Sequence, residues 1–216
     1  MRKKSDWLIP AGLIFLTIVP SLAGVVRLAG LAQGGPVTPK NARFFGAPIA
    51  ASLHIVGSFV FGVLGALQFS PGFRASNPRW HRNAGRPVVI AGAAAALTGL
   101  YMTLVFPHLE TDGPTLFSVR MVVGTGMALS IALAVRAIMR RRFAEHGAWM
   151  MRAYALGMGA GTQVLTHLPW IAATGTLPTG YIRDTAMAAG WLINLLFVEW
   201  LLYRQRSRAL TGAMQG

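Results

Sequence analysis

Five histidines are the only strong metal-ligand side chains in this chain of 216 residues, which contains no cysteine. Hydropathy places His54 and His167 in the outer third of two different apolar segments. It places His81 and His146 at the cytoplasmic ends of helices, in two basic loops. A neutral imidazole is a ligand for haem iron, zinc or copper through one ring nitrogen. Without thiols, disulfides, iron–sulfur clusters and thiolate zinc sites are excluded. Two histidine pairs, one near each face of a bilayer, is the arrangement expected of a protein that holds two b haems and passes electrons across the membrane. Simpler roles stand beside it. His54 could be a neutral histidine bonded to a neighbouring helix, and His81 and His146 interfacial residues touching lipid phosphate.

The elements that must position these side chains follow from composition. The chain is 54% hydrophobic and 12% charged, with a mean hydropathy of +0.51; a soluble domain carries roughly 25% charged residues. Six acids cannot shield that much apolar surface from water. Spanning lipid requires about 20 apolar residues per helix, and open-edged strands are excluded there. The expected architecture is an all-α integral membrane protein, a bundle of six transmembrane helices forming one domain over 1–216. Its spans fall near 7–31, 47–69, 88–106, 116–139, 148–171 and 185–202. The first resembles a signal peptide, with Arg2, Lys3 and Lys4 before an apolar run. Its run of about 24 residues exceeds the 7–15 of a signal core, so it is read as a true span.

Charge sets the expected orientation. With six alternating helices, fifteen of the twenty basic residues fall on one side: the N-terminal tail, the loop with Arg74, Arg79, Arg82 and Arg86, the region from Arg136 to Arg152, and the tail from Arg204. The positive-inside rule then puts both termini in the cytoplasm. The net charge of +14 is thereby accounted for by topology and anionic headgroups, without nucleic acid. Tryptophans 80, 149, 170, 191 and 200 are expected near helix ends, where amphipathic rings prefer the interface.

Within this frame His54 shares a helix face with Gly57, Phe61 and Gly65. An ionisable side chain in a span usually faces the bundle interior, and the glycines admit a close backbone or a flat macrocycle. His167 follows a glycine-rich stretch at 157–163, which either admits something large or packs tightly on a helix. His146 and His167 are 21 residues apart, about 30 Å of helix. For an inner haem on His81 and His146, Arg82, Arg86 and Arg152 are the expected propionate partners. His108 reads as a solvated loop residue, Arg27 and Arg120 as snorkelling side chains, and Glu199 as a partner for a cytoplasmic arginine. The segments around His81 and His146 are loosely alike, which raises an internal duplication of a two-helix unit. Walker, dinucleotide, serine-elbow and His-Glu-x-x-His motifs are absent.

Three segments carry a family resemblance: Gly-Ala-Leu-Gln-Phe at 65–69, His-Arg-Asn-Ala-Gly-Arg at 81–86, and His-Gly-Ala-Trp-Met-Met-Arg-Ala-Tyr-Ala-Leu at 146–156. They resemble domain of unknown function 2306, a family of predicted bacterial multipass membrane proteins, over most of the chain from about residue 45. The family pattern matches His54, His81 and His146 and does not dependably extend to His167. It implies a class without implying an activity. The two-haem arrangement is similar, more loosely, to transmembrane b-type cytochromes of the ascorbate-reducing class, whose histidine pairs lie near opposite faces of four helices. Here the inner histidines sit at loop–helix junctions instead.

The functional expectation is a haem b-binding electron carrier in a bacterial inner membrane, between a quinol or small reductant and an acceptor, with transmembrane oxidoreductase activity left open. The alternative is a cofactor-free membrane protein, such as a small transporter subunit or a respiratory-complex assembly factor. A homo-oligomer or a membrane-complex partner fits either. A non-haem metal enzyme at the histidines is a third reading, opposed by the scarcity of acids.

Overall fold

The computed structural model describes residues 7–214, and among them the regular structure is helical, with no strand. In chain order the helices are α1 (Leu8–Ala32), α2 (Ala42–Gly46), α3 (Pro48–Gln68), α4 (Pro71–Ser76), α5 (Pro78–Val105), α6 (Leu116–Met139), α7 (Phe143–Gly157), α8 (Gly159–Thr174) and α9 (Gly180–Met214). Five of them, α1, α3, α5, α6 and α9, are long and apolar enough to cross a bilayer. Their outer faces carry exposed Phe15, Val26, Ile49, Ile90 and Val122. Such a surface is a liability in water and a requirement in lipid.

Prolines start three of the helices. Pro48, Pro71 and Pro78 each occupy a first helical position, where a missing N–H costs nothing. Ser70 adds a side-chain cap on Phe73 N–H. As a result α5 begins about ten residues before the apolar segment expected from 88, so the basic stretch 78–86 is helical rather than a loop. The same holds at Phe143, where α7 begins ahead of its apolar part. His81 and His146 each become the fourth residue of a helix, their N–H groups returning to the cap carbonyls of Asn77 and Arg142. Hydropathy sees only the lipid-facing part of such helices.

The expected span at 148–171 is two helices of 15 and 16 residues joined at Met158. Gly157 and Gly159 flank the joint, and both are weak helix formers. A Cβ at Gly157 would lie 2.7 Å from the Phe61 ring, and the Trp191 indole lies against Gly159. The joint is a kink and not a reversal. Met158 keeps right-handed backbone angles (φ −79°, ψ 0°), and its carbonyl accepts from Thr162 N–H. Together α7 and α8 run antiparallel along α9. Arg152 meets Glu199, Asn194 Nδ2 donates to Ala155 O, Gln163 Nε2 to Met187 O, and Thr166 Oγ1 to Ala186 O.

The bundle therefore has two ends. The terminal end holds the start of α1, where Trp7 meets Phe73, together with α4 and the first turns of α5 and α7. The opposite end holds the α1–α3, α5–α6 and α8–α9 connections. The core joins α3, α5, α6 and α7 through Phe61, Val88, Ala96, Met127, Ile131 and Tyr154. Tyr154 is held there by donating to Gly62 O at 2.7 Å.

Candidate functional site

A cavity of about 580 Å³ opens between α1, α3, α5, α6, α8 and α9. On α1 its wall runs from Thr17 to Leu28, twelve residues and so about 16 Å of helix from first to last. That depth is close to half of a ~30 Å hydrocarbon core. Phe61, Gly62 and Met158 line the inner end, and Arg43, Phe44, His108 and Arg120 the opposite end of the bundle. Its volume lies within the range of small-molecule and cofactor sites.

His54 stands in the wall of this cavity. Its Nδ1 lies 2.9 Å from Ala95 O on α5, with Thr98 Oγ1 at 3.3 Å. A carbonyl can only accept, so Nδ1 carries the proton and Nε2 keeps its lone pair. This is the tautomer of a metal-ligating imidazole whose other nitrogen is anchored on a backbone carbonyl. Close helix contact makes the bond possible: a Cβ at Gly57 would come within 2.8 Å of Ala91 O. The hydrogen bond to a neighbouring helix is present, and a free ligating nitrogen is present with it.

His167 does not join His54. It is not among the residues lining the cavity, and its Nδ1 donates to Gln163 O of its own helix at 2.7 Å. Helix α8 packs on α9 and α1, whereas α3 packs on α5 and α1. The glycines before His167 serve packing: Gly161 lies against the α1 backbone at Leu16.

His81 and His146 lie at the same end of the bundle, in the first turns of α5 and α7. His146, Arg74 and Arg82 all lie within electrostatic reach of the His81 ring. His146 donates Nδ1–H to Ala134 O at 3.0 Å, leaving its Nε2 free, while His81 Nδ1 is enclosed without a partner. Of the arginines expected around them, Arg82 and Arg86 are exposed. Arg152 is already engaged: it makes a bidentate pair with Glu199 (2.5 and 2.9 Å) and stacks over Trp149. The partner expected for Glu199 is thus found, at the cost of Arg152 as a propionate ligand.

Other expectations shift as well. Arg27 lies over the Phe44 ring at 4.0 Å, and Arg120 pairs with Asp112, so neither simply snorkels. His108 is exposed but borders the cavity beside Phe117. Trp191 lines the cavity instead of an interface, because α9 starts at Gly180, earlier than its apolar segment. Two acids that sequence reasoning passed over organise the opposite end. Asp112 pairs with both Arg120 and Arg183 at 2.8 Å, and buried Asp184 of α9 accepts from Gly113 N, Thr115 N, Thr115 Oγ1 and Leu116 N. The available signal was an acid immediately before the apolar segment at 185–202, since Asp184 directly precedes it. Among the described residues no three histidine or acidic side chains converge on a common metal position.

Fold and site together define a polytopic helical membrane protein with a half-open cavity between its helices and an anchored histidine in its wall. The chain belongs to domain of unknown function 2306, a family described as predicted membrane proteins, whose model matches residues 51–202. The match includes all five histidines. No curated protein and no solved structure matches the chain.

Proposed function

We propose that this protein binds haem b in the cavity, where His54 Nε2 would hold the iron, and carries electrons through a bacterial inner membrane. The observation that carries the reading is the anchored tautomer of His54 beside a mostly apolar cavity of about 580 Å³. One axial imidazole suffices to hold a haem, so the lack of a three-residue cluster does not oppose it. The second donor in this cavity is not His167. Met102, Met127, Met158 and Met187 line the same wall and offer thioether sulfur, an established partner of histidine on haem iron. His81 and His146 form the second ligand set, towards the terminal end. Haem, when bound, supplies the one-electron chemistry, and this chain supplies ligands, a dry wall and helix contacts that fix the imidazole.

In this reading α7 and α8 make the sixth crossing, both termini are cytoplasmic, and a quinol or other small reductant delivers electrons. The test is a dithionite-reduced minus oxidised spectrum with a haem-to-chain ratio, on protein made in haem-replete cells. Two haems per chain are expected. One would remove the His81–His146 set. None would overturn the proposal in favour of a cofactor-free transporter subunit or assembly factor.

A further inference from the structure

The end of the cavity opposite the termini carries an excess of positive charge. Arg43 and Arg120 line it, and Arg27 and Arg183 lie within electrostatic reach of Arg43. The neighbouring acids are already spent. Asp112 is divided between Arg120 and Arg183, and both Asp184 oxygens are taken by the start of α6. Glu110, on the same connection, is exposed and makes no ion pair among the described residues. Arg43 also makes no ion pair, and its Nε is enclosed without any hydrogen-bond partner. The guanidinium lies against the edge-to-face pair of Phe44 and Phe106, at 4.8 and 6.0 Å from their ring centres.

A guanidinium stays charged in proteins, and a buried N–H left unpaired is costly. Burial, and then the Arg120 charge beside it, lowers the Arg43 pKa from its ordinary value, although nearby Asp112 opposes the shift. An arrangement of this kind calls for an anion. The space beneath it is apolar and about 16 Å deep, which suits an acid with a hydrophobic body.

We propose that this end of the cavity is an anion site, in which Arg43 binds the carboxylate of an amphiphile whose apolar body fills the cavity. Two sources carry that chemistry: the propionates of haem, and a membrane fatty acid. For the first the inference rests on the haem reading above; for the second it stands alone.

The experiment titrates the purified full-length chain with haemin, with haemin whose propionates are methyl esters, and with oleate, comparing the native protein with Arg43→Gln and Arg43→Lys. Loss of one charge-assisted hydrogen bond predicts that Arg43→Gln weakens the acid ligand by roughly tenfold to a hundredfold. The ester should bind both forms equally, and Arg43→Lys should recover part of the affinity. Haemin weakened with the ester unaffected supports the site with propionates as its anion. Oleate weakened, with no haemin bound by either form, supports the site and overturns the haem reading. If neither acid is weakened, each that binds doing so equally to native protein and Arg43→Gln, the anion site is overturned while any bound haem stays in place. No binding of either acid overturns it as well. Because α2 is a short peripheral helix, equal thermal transitions of the three forms serve as the folding control.

Discussion

Replacing Asp184 with alanine should be among the most damaging single changes at the end opposite the termini. Its carboxylate, on α9, accepts from the groups that begin α6: Gly113 N at 2.8 Å, Thr115 N at 2.9 Å, Thr115 Oγ1 at 2.7 Å and Leu116 N at 3.1 Å. The first N–H groups of a helix have no intrahelical partner and must find one elsewhere. Alanine removes the buried charge together with its desolvation cost, so only the orphaned donors count. Thr115 is exposed and can turn to water, whereas Gly113 and Leu116 are buried and cannot. Two buried unsatisfied donors cost about 1–3 kcal/mol each, or about 4 kcal/mol in all. For a chain of this length that corresponds to a fall of roughly 10 °C in transition temperature. Asparagine should recover part of the loss, since its amide oxygen still accepts from the α6 start while its NH2 faces the Gly113 donor. Thermal unfolding in one detergent, followed for the native protein and both variants, gives the comparison. An Asp184→Ala transition within about 2 °C of native would refute the capping argument.

Two further outcomes are expected. Gly57→Leu should force α3 from α5, because even a Cβ would lie 2.8 Å from Ala91 O; overpacking costs about 1–3 kcal/mol. It should also disturb the Ala95 carbonyl that holds His54, so transition temperature and haem content should fall together. Arg141→Gly should stabilise the protein. Arg141 sits at φ 58° after α6, where Arg142 N–H returns to Ala137 O and Arg141 N–H to Ile138 O. Glycine removes a left-handed strain of about 1 kcal/mol, and thermal unfolding should shift upward by roughly 2–4 °C.

The helices were legible because lipid leaves the backbone almost no other choice, and apolar runs of about 20 residues mark them directly. The boundaries were less so. Residues 78–87 and 143–147 are helical without being apolar, and nothing in their hydropathy distinguishes a helix in the headgroup region from a loop. The stretch at 157–161 stood out as a poor helix former, yet composition does not say whether it kinks, or that Phe61 and Trp191 are what it accommodates. Depth could be counted for each histidine; azimuth could not. His54 faces the bundle because α3 packs closely on α5 at Gly57. His167 bonds within its own helix, and α1 packs against both α3 and α8. Arg43 lay in a connection where nothing marks burial, and its setting depends on Phe44 and Phe106 arriving from different parts of the chain.

In the proposed reading His54 holds a haem in the cavity and His167 does not. The most direct measurement of this is the haem content and reduced spectrum of His54→Ala and His167→Ala beside the native protein, all purified from haem-replete cells. His54→Ala should lose about one haem equivalent and keep the signal assigned to His81 and His146, while His167→Ala should match the native protein. Full haem content in His54→Ala, or loss of the same single haem in both variants, would contradict the claim.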